Sequence, residues 1–150
     1  MTDNAFGKVR TLVHCEELTE KSLTHGLKNG NSVVTDGPVV NFEIRGTKNG
    51  KLITGKFGQS IEVSESTLNI KILWKSTEEF GQFQDIKLVK NGSFLNINEL
   101  TLKTGDKFNG SRNISIIQKK KIVYYRVEAY SRKGDEKFCC YTNPIWIIKK

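Results

Sequence analysis

From Ser32 onward, apolar and polar residues alternate with a period of two. Phe42 and Ile44 alternate with Glu43 and Arg45, and Leu68, Ile70, Ile72 and Trp74 with Asn69, Lys71 and Leu73. Val123, Tyr125, Val127 and Ala129 do so with Tyr124, Arg126 and Glu128. Successive side chains of a strand point to opposite faces, so each run predicts a half-buried β-strand. Turn residues punctuate the runs: Lys48-Asn49-Gly50, Lys90-Asn91-Gly92, Asn109-Gly110 and Lys133-Gly134-Asp135. Asn-Gly tolerates positive φ at both positions, which predicts tight hairpins at Asn49-Gly50 and Asn91-Gly92. Further strands are expected over 51–56, 60–63, 84–89, 94–100, 112–119, 137–141 and 145–148. Trp74 is in phase with the core side of its strand. Trp146 lies on the opposite face from Ile145 and Ile147, and periodicity does not say which face is buried.

The period differs near the N-terminus. An extended segment over 8–13 leads to a short helix over 20–29, with Thr19 as N-cap, Glu20 at the positive end of the helix dipole and Gly30 as the left-handed stop. Leu18 and Leu23 are spaced for a hydrophobic staple, and Leu23 and Leu27 share one face. About nine short strands without βαβ alternation predict a mostly β protein: an immunoglobulin-like antiparallel β-sandwich with one short N-terminal helix. The expected division is an N-terminal strand and helix over 1–31 and a sandwich domain over 32–150.

Size agrees with this: 150 residues suffice for a single hydrophobic core. The formal net charge of +8 raises the question of nucleic acid. Of the 24 basic residues, however, 19 are Lys and five are Arg, and the sole run of three is Lys119-Lys120-Lys121, expected at a hairpin end. Phosphate readers concentrate their charge and favour Arg, so a solvated lysine surface is expected rather than a nucleic-acid face. Apolar runs stay near four residues, far from the roughly 20 that span a bilayer, and no signal-peptide stretch is read at the start. Cys15, Cys139 and Cys140 form no disulfide framework, which fits reduced thiols and a cytoplasmic setting.

Candidate chemistry is sparse. His14 and His25 lack metal-site spacing, and neither phosphate-loop nor nucleophile-elbow patterns occur. Asp36-Gly37-Pro38 reads as a turn between strands. Tyr124 and Tyr130, on the outer face of one strand, are the residues eligible as a stacking surface. No cofactor is expected.

Several segments, in order, resemble the C-terminal part of PHP-superfamily (polymerase and histidinol phosphatase) metal-dependent hydrolases whose barrel is followed by a β-sandwich. They are Gly7-Lys8-Val9-Arg10-Thr11, Leu27 through Pro38, Phe42 through Gly46, Leu88 through Gly92, Tyr125 through Ala129 and Thr142 through Ile147. The most specific are the Gly-x-x-Arg-Thr opening, Val34-Thr35-Asp36-Gly37-Pro38 and Thr142-Asn143-Pro144-Ile145. The resemblance implies a non-catalytic accessory sandwich, because the family's His-x-His and Asp-x-His metal ligands have no counterpart here. Asn31 stands where family members often carry Arg. On this reading residues 1–31 are a remnant of the preceding catalytic region. Arg10, Thr11, Leu23, Leu27, Asp36, Gly37 and Pro38, with Val13 nearby, belong to the surface facing a PHP-type catalytic domain in cis or trans, or a second copy. The alternative is a free-standing glycan- or polyanion-binding module using lysine-rich loops and exposed tyrosines.

Overall fold

The computed structural model describes residues 8–103, 105 and 107–150. Among them are twelve strands and one α-helix: β1 Arg10–Val13, α1 Glu20–Lys28, β2 Ser32–Thr35, β3 Val39–Lys48, β4 Lys51–Lys56, β5 Ser60–Val63, β6 Thr67–Lys75, β7 Gln82–Lys90, β8 Ser93–Leu95, β9 Asn109–Ile117, β10 Ile122–Lys133, β11 Glu136–Thr142 and β12 Ile145–Lys149. They form two sheets. The smaller runs β4-β3-β6-β9; the larger runs β1-β2-β11-β10-β12-β5, with β7 on the other edge of β10 and β8 beyond β7. Strand β10 is long enough that β12 pairs with its first half and β11 with its second along one edge, while β7 runs along the other. Pairing is antiparallel throughout except between β12 and β5. From β2 to β10 the chain crosses between sheets at every link except the β3–β4 and β7–β8 hairpins.

The inner faces carry the predicted periodic residues. Phe42, Ile44, Leu68, Ile70, Ile72 and Trp74 of the smaller sheet meet Leu88, Val123, Tyr125, Val127, Ile145 and Ile147 of the larger in one buried cluster. At about 25 cal/mol per Å² of apolar area removed from water, this interlayer is the main force holding the sheets together. The protein is a β-sandwich with one short helix. One buried polar chain crosses the core: the Tyr125 hydroxyl donates to Gln118 Oε1 (2.9 Å), and Gln118 Nε2 donates to the Lys120 carbonyl (2.6 Å).

The hairpins at Asn49-Gly50 and Asn91-Gly92 form as expected, with positive φ at both residues of each. Four expectations change. Asn109-Gly110 is the start of β9, because the Trp74 ring lies where a Cβ at Gly110 would sit (2.5 Å), so this glycine serves close packing. Residues 94–100 split into β8 and a 3₁₀ turn, Asn98–Leu100, that turns Leu100 into the core. Lys119-Lys120-Lys121 is not a hairpin end, since β9 and β10 belong to different sheets and these lysines bridge them. Leu18 forms no staple; it is 89% exposed, and the helix start is held instead by Ser22 N donating to Thr19 Oγ1 (3.2 Å) and Glu17 N donating to Ser22 Oγ (3.4 Å).

Candidate functional site

Three surfaces bring polar or aromatic groups together. The first is the end of the sandwich where β1, β2 and the β2–β3 link meet. Thr35 Oγ1 accepts from Gly37 N (3.0 Å) and donates to the Pro38 carbonyl, and Asp36 Oδ1 accepts from Cys139 N (2.5 Å). Gly37 lies under the Phe80 ring, which leaves no room for a Cβ, and the Arg10 guanidinium sits 5.8 Å over that same ring. Phe80 in turn meets Phe138 edge-on (5.5 Å). At the opposite end of β2, Asn143 Nδ2 donates to the Gly30 carbonyl (2.8 Å) and to Ser32 Oγ (3.0 Å), and Gly58 N donates to the Pro144 carbonyl (2.8 Å). Segments far apart in sequence, Gly30 to Pro38 and Thr142 to Pro144, are thus hydrogen-bonded through one another.

Strand β1 is the edge of the larger sheet, paired to β2 with Arg10 opposite Thr35 and Thr11 opposite Val34. Helix α1 returns onto it through Gly26, whose absent Cβ leaves space for Val13 and the His14 carbonyl. Gly26 is the buried residue of the helix; Leu23 is half-buried, Leu27 is 52% exposed, and neither belongs to the core. Arg10, Thr11, Asp36, Gly37 and Pro38 therefore gather at one place, while Leu23 and Leu27 lie at the other end of β1. Leu12, Leu18 and Leu27 are exposed apolar side chains of this element.

The second surface is a cleft of about 770 Å³ between α1 and the β4–β5 link, bordered by His14, Cys15, His25, Asn31, Lys56 and Gln59. The His25 Nε2 and Asn29 Nδ2 atoms are 2.7 Å apart, and Asn31 Oδ1 is buried without a hydrogen-bond partner. Sequence spacing gave no sign of this grouping, which arises because α1 folds back on β1. No set of three or more His, Cys, Asp or Glu among the described residues is placed to hold a metal ion.

The third surface is the outer face of the larger sheet. The register settles the phase of Trp146: it pairs with Tyr124, their ring centroids are 5.0 Å apart, and Trp146 is 40% exposed. Along β10 from Tyr124 come Arg126, Glu128 and Tyr130, flanked by Lys87, Asp85 and Phe94 on the β7–β8 side and Tyr141 on the other. Arg126 pairs with Glu128 (2.5 Å) and Lys87 with Asp85 (3.1 Å). The Asp85 carboxylate raises the Lys87 pKa above its ordinary value, chiefly through their hydrogen bond. Lys87 also lies 4.8 Å from the centre of the Phe94 ring, and Lys137 lies 4.5 Å over Tyr130. Tyr124 and Tyr130, read from sequence as surface residues, both lie on this face and are half-buried by these neighbours. Sequence reasoning missed Phe94 and, among the aromatic residues it weighed, did not select Tyr141 or Trp146, whose positions depend on which strands flank β10.

The class that fold and surfaces define is a two-sheet β-sandwich with an exposed edge and an aromatic outer face. No family model, no curated protein and no solved structure matches the chain.

Proposed function

We propose that the chain is a non-catalytic accessory β-sandwich that docks on a catalytic domain of the PHP type through its β1–α1 element. The observation that carries this reading is the outer edge of β1, which pairs with no further strand among the described residues, together with exposed Leu12 and Leu27 on the same β1–α1 element. An open strand edge with neighbouring apolar side chains is a natural seat for another chain. The identity of the partner rests on the motif resemblance. In support, the segments that carry it, Gly30 to Pro38 and Thr142 to Pro144, have interlocking structural roles beside β1.

The test is titration of the chain against a separately expressed PHP-type barrel from the same genome, followed by calorimetry. Association is expected, and L12K with L27K abolishes it while leaving the melting temperature of the chain within a few degrees. No heat of binding, or binding indifferent to both substitutions, overturns the reading. The isolated chain is expected to hydrolyse neither phosphoesters nor amides; about one tightly held metal ion per chain, with activity lost on chelation, would contradict that.

A further inference from the structure

Lysines that are scattered in sequence converge at one end of the sandwich. Thr67 of β6 pairs with Ile117 of β9, and Gln118 N donates to the Ser66 carbonyl (2.7 Å), so the β5–β6 and β9–β10 links lie side by side. The β3–β4 hairpin joins them through Ser64 N, which donates to the Thr47 carbonyl (2.8 Å). The end of β12 joins through Lys149 N, which donates to the Lys121 carbonyl (2.7 Å). The β7–β8 hairpin reaches the same end, because Asn91 N donates to the Tyr124 carbonyl (3.2 Å) near the start of β10. Segments 48–51, 62–66, 90–93, 118–121 and 149–150 hold eight lysines and two glutamates, a formal excess of six positive charges out of the +8 of the whole chain. Glu62 is taken up by Lys48 and Lys150, and no carboxylate among the described residues pairs with Lys51, Lys90 or the lysine run 119–121. Partial burial and then the like charge of Lys120 lower the Lys90 pKa. We infer that this end of the sandwich is a peripheral docking surface for a lipid bilayer that carries anionic headgroups.

The layout of the charge selects the partner. The lysines cover the ends of both sheets and the link between them, a two-dimensional field, and a bilayer presents its anionic groups in a plane. Each lysine held near such a surface adds about fivefold to the binding constant. A nucleic acid is followed along a track and gripped by arginine forks, whereas these five segments contain no arginine. Exposed apolar side chains border the field: Leu52 beside Lys51 is 67% exposed, and Ile117 (66%) and Ile122 (56%) stand at the two ends of the lysine link. Beside a sugar–phosphate backbone these side chains would stay in water. At a headgroup layer they enter the apolar boundary while the lysine ammonium groups remain at the phosphates. The contact is with the surface alone, since no helix among the described residues is long and apolar enough to cross a membrane. It is also separate from the β1–α1 edge: β1 reaches β10 through β2 and β11, and β11 pairs with the half of β10 farthest from Ile122.

The experiment sediments the chain with vesicles of phosphatidylcholine containing about 30% phosphatidylserine, and with vesicles of phosphatidylcholine alone, in about 0.1 M salt. Binding to the first and not to the second is expected, and it weakens as salt rises. The variant K119Q/K120Q/K121Q is expected to weaken binding by about tenfold or more. K75Q/K133Q/K137Q removes as much charge at the opposite end of the sandwich and is expected to change binding by less than about threefold. I117S with I122S is expected to weaken vesicle binding about tenfold through the lost apolar contact. All substituted residues are exposed, and each variant is checked for an unchanged thermal transition. A short DNA duplex at equal phosphate concentration is expected not to displace the chain from the serine-lipid vesicles. The inference is overturned if the chain stays in solution with both kinds of vesicle or sediments equally with both. It is likewise overturned if the two triple variants behave alike, or if I117S with I122S binds as the parent chain does. Displacement by the duplex would assign this end to a nucleic acid instead.

Discussion

Tyr125 carries a hydroxyl in the middle of an otherwise apolar layer, and Gln118 Oε1 is its hydrogen-bond acceptor. Burial pushes the Tyr125 pKa up to about 12, so it remains a neutral donor well into alkaline solution. Y125F keeps the ring but leaves the Gln118 oxygen buried and unpaired, and is expected to cost about 1–3 kcal/mol, measured as a lower urea midpoint at unchanged slope. Asp36 serves another buried need by accepting from Cys139 N. D36A strands that amide, whereas D36N keeps an oxygen in place, so D36A is expected to be the more destabilising of the two. Neighbouring cysteines differ for the same reason that strand residues alternate. Cys140 faces the core, where burial pushes its pKa up to about 11, while Cys139 is half-exposed. A thiol reagent is expected to label Cys139 and Cys15 in the native chain and Cys140 only after unfolding; early labelling of Cys140 would mean that the core opens readily.

Links between elements depend on a few glycines, and their environments rank the expected damage. Gly81 and Gly134 both have positive φ, which a Cβ makes costly. Gly134, in the β10–β11 hairpin, has nothing near its missing Cβ, so G134A is expected to cost about 1 kcal/mol from backbone strain alone. At Gly81 a Cβ would strike the Arg132 carbonyl, at the start of β7 where the chain passes from one sheet to the other. G81A must strain its own backbone and displace the β7–β10 pairing, and is expected to be the worse by denaturant midpoint. Equal effects would show that the β6–β7 link yields without cost. Helix α1 is bound in a similar way: its buried residue is Gly26, not a leucine, which is why the leucine spacing alone does not identify the packed face.

Across the whole molecule, one ionic clamp joins both sheets to the C-terminus. Glu62 on β5 pairs with Lys48 at the end of β3 (2.5 Å) and with Lys150 (2.6 Å). Hydrogen bonds from Lys150 and then Lys48 hold its pKa at about 2, against an ordinary 4.5. A depressed carboxylate stabilises the fold above its unfolded pKa, and that contribution disappears as pH falls from about 4.5 towards 2. The stability difference between the parent chain and E62Q is therefore expected to be constant near neutrality and to shrink across that acid window. Because the groups are exposed, added salt should shrink it at pH 7 as well. A difference that persists at pH 2 would mean that Glu62 acts through packing rather than charge.

The sequence by itself determined most of the strands, two Asn-Gly hairpins, the helix cap at Thr19 and most inner residues of the sandwich, because period-two alternation and turn chemistry are local properties of the chain. Residues that look alike locally were separated only by tertiary structure. Gly110 and Gly134 both follow turn-forming neighbours, yet the Trp74 ring makes one a packing site and leaves the other a hairpin. Trp146 could face either way until pairing with β10 placed it beside Tyr124. The grouping of Phe94, Tyr130 and Tyr141 required β8, β10 and β11 to converge, and that of His14 with His25 required α1 to fold back on β1. Alternation fixes which residues of one strand share a face; which strands become neighbours depends on long-range pairing and on filling one common core, and these decide where the candidate sites lie.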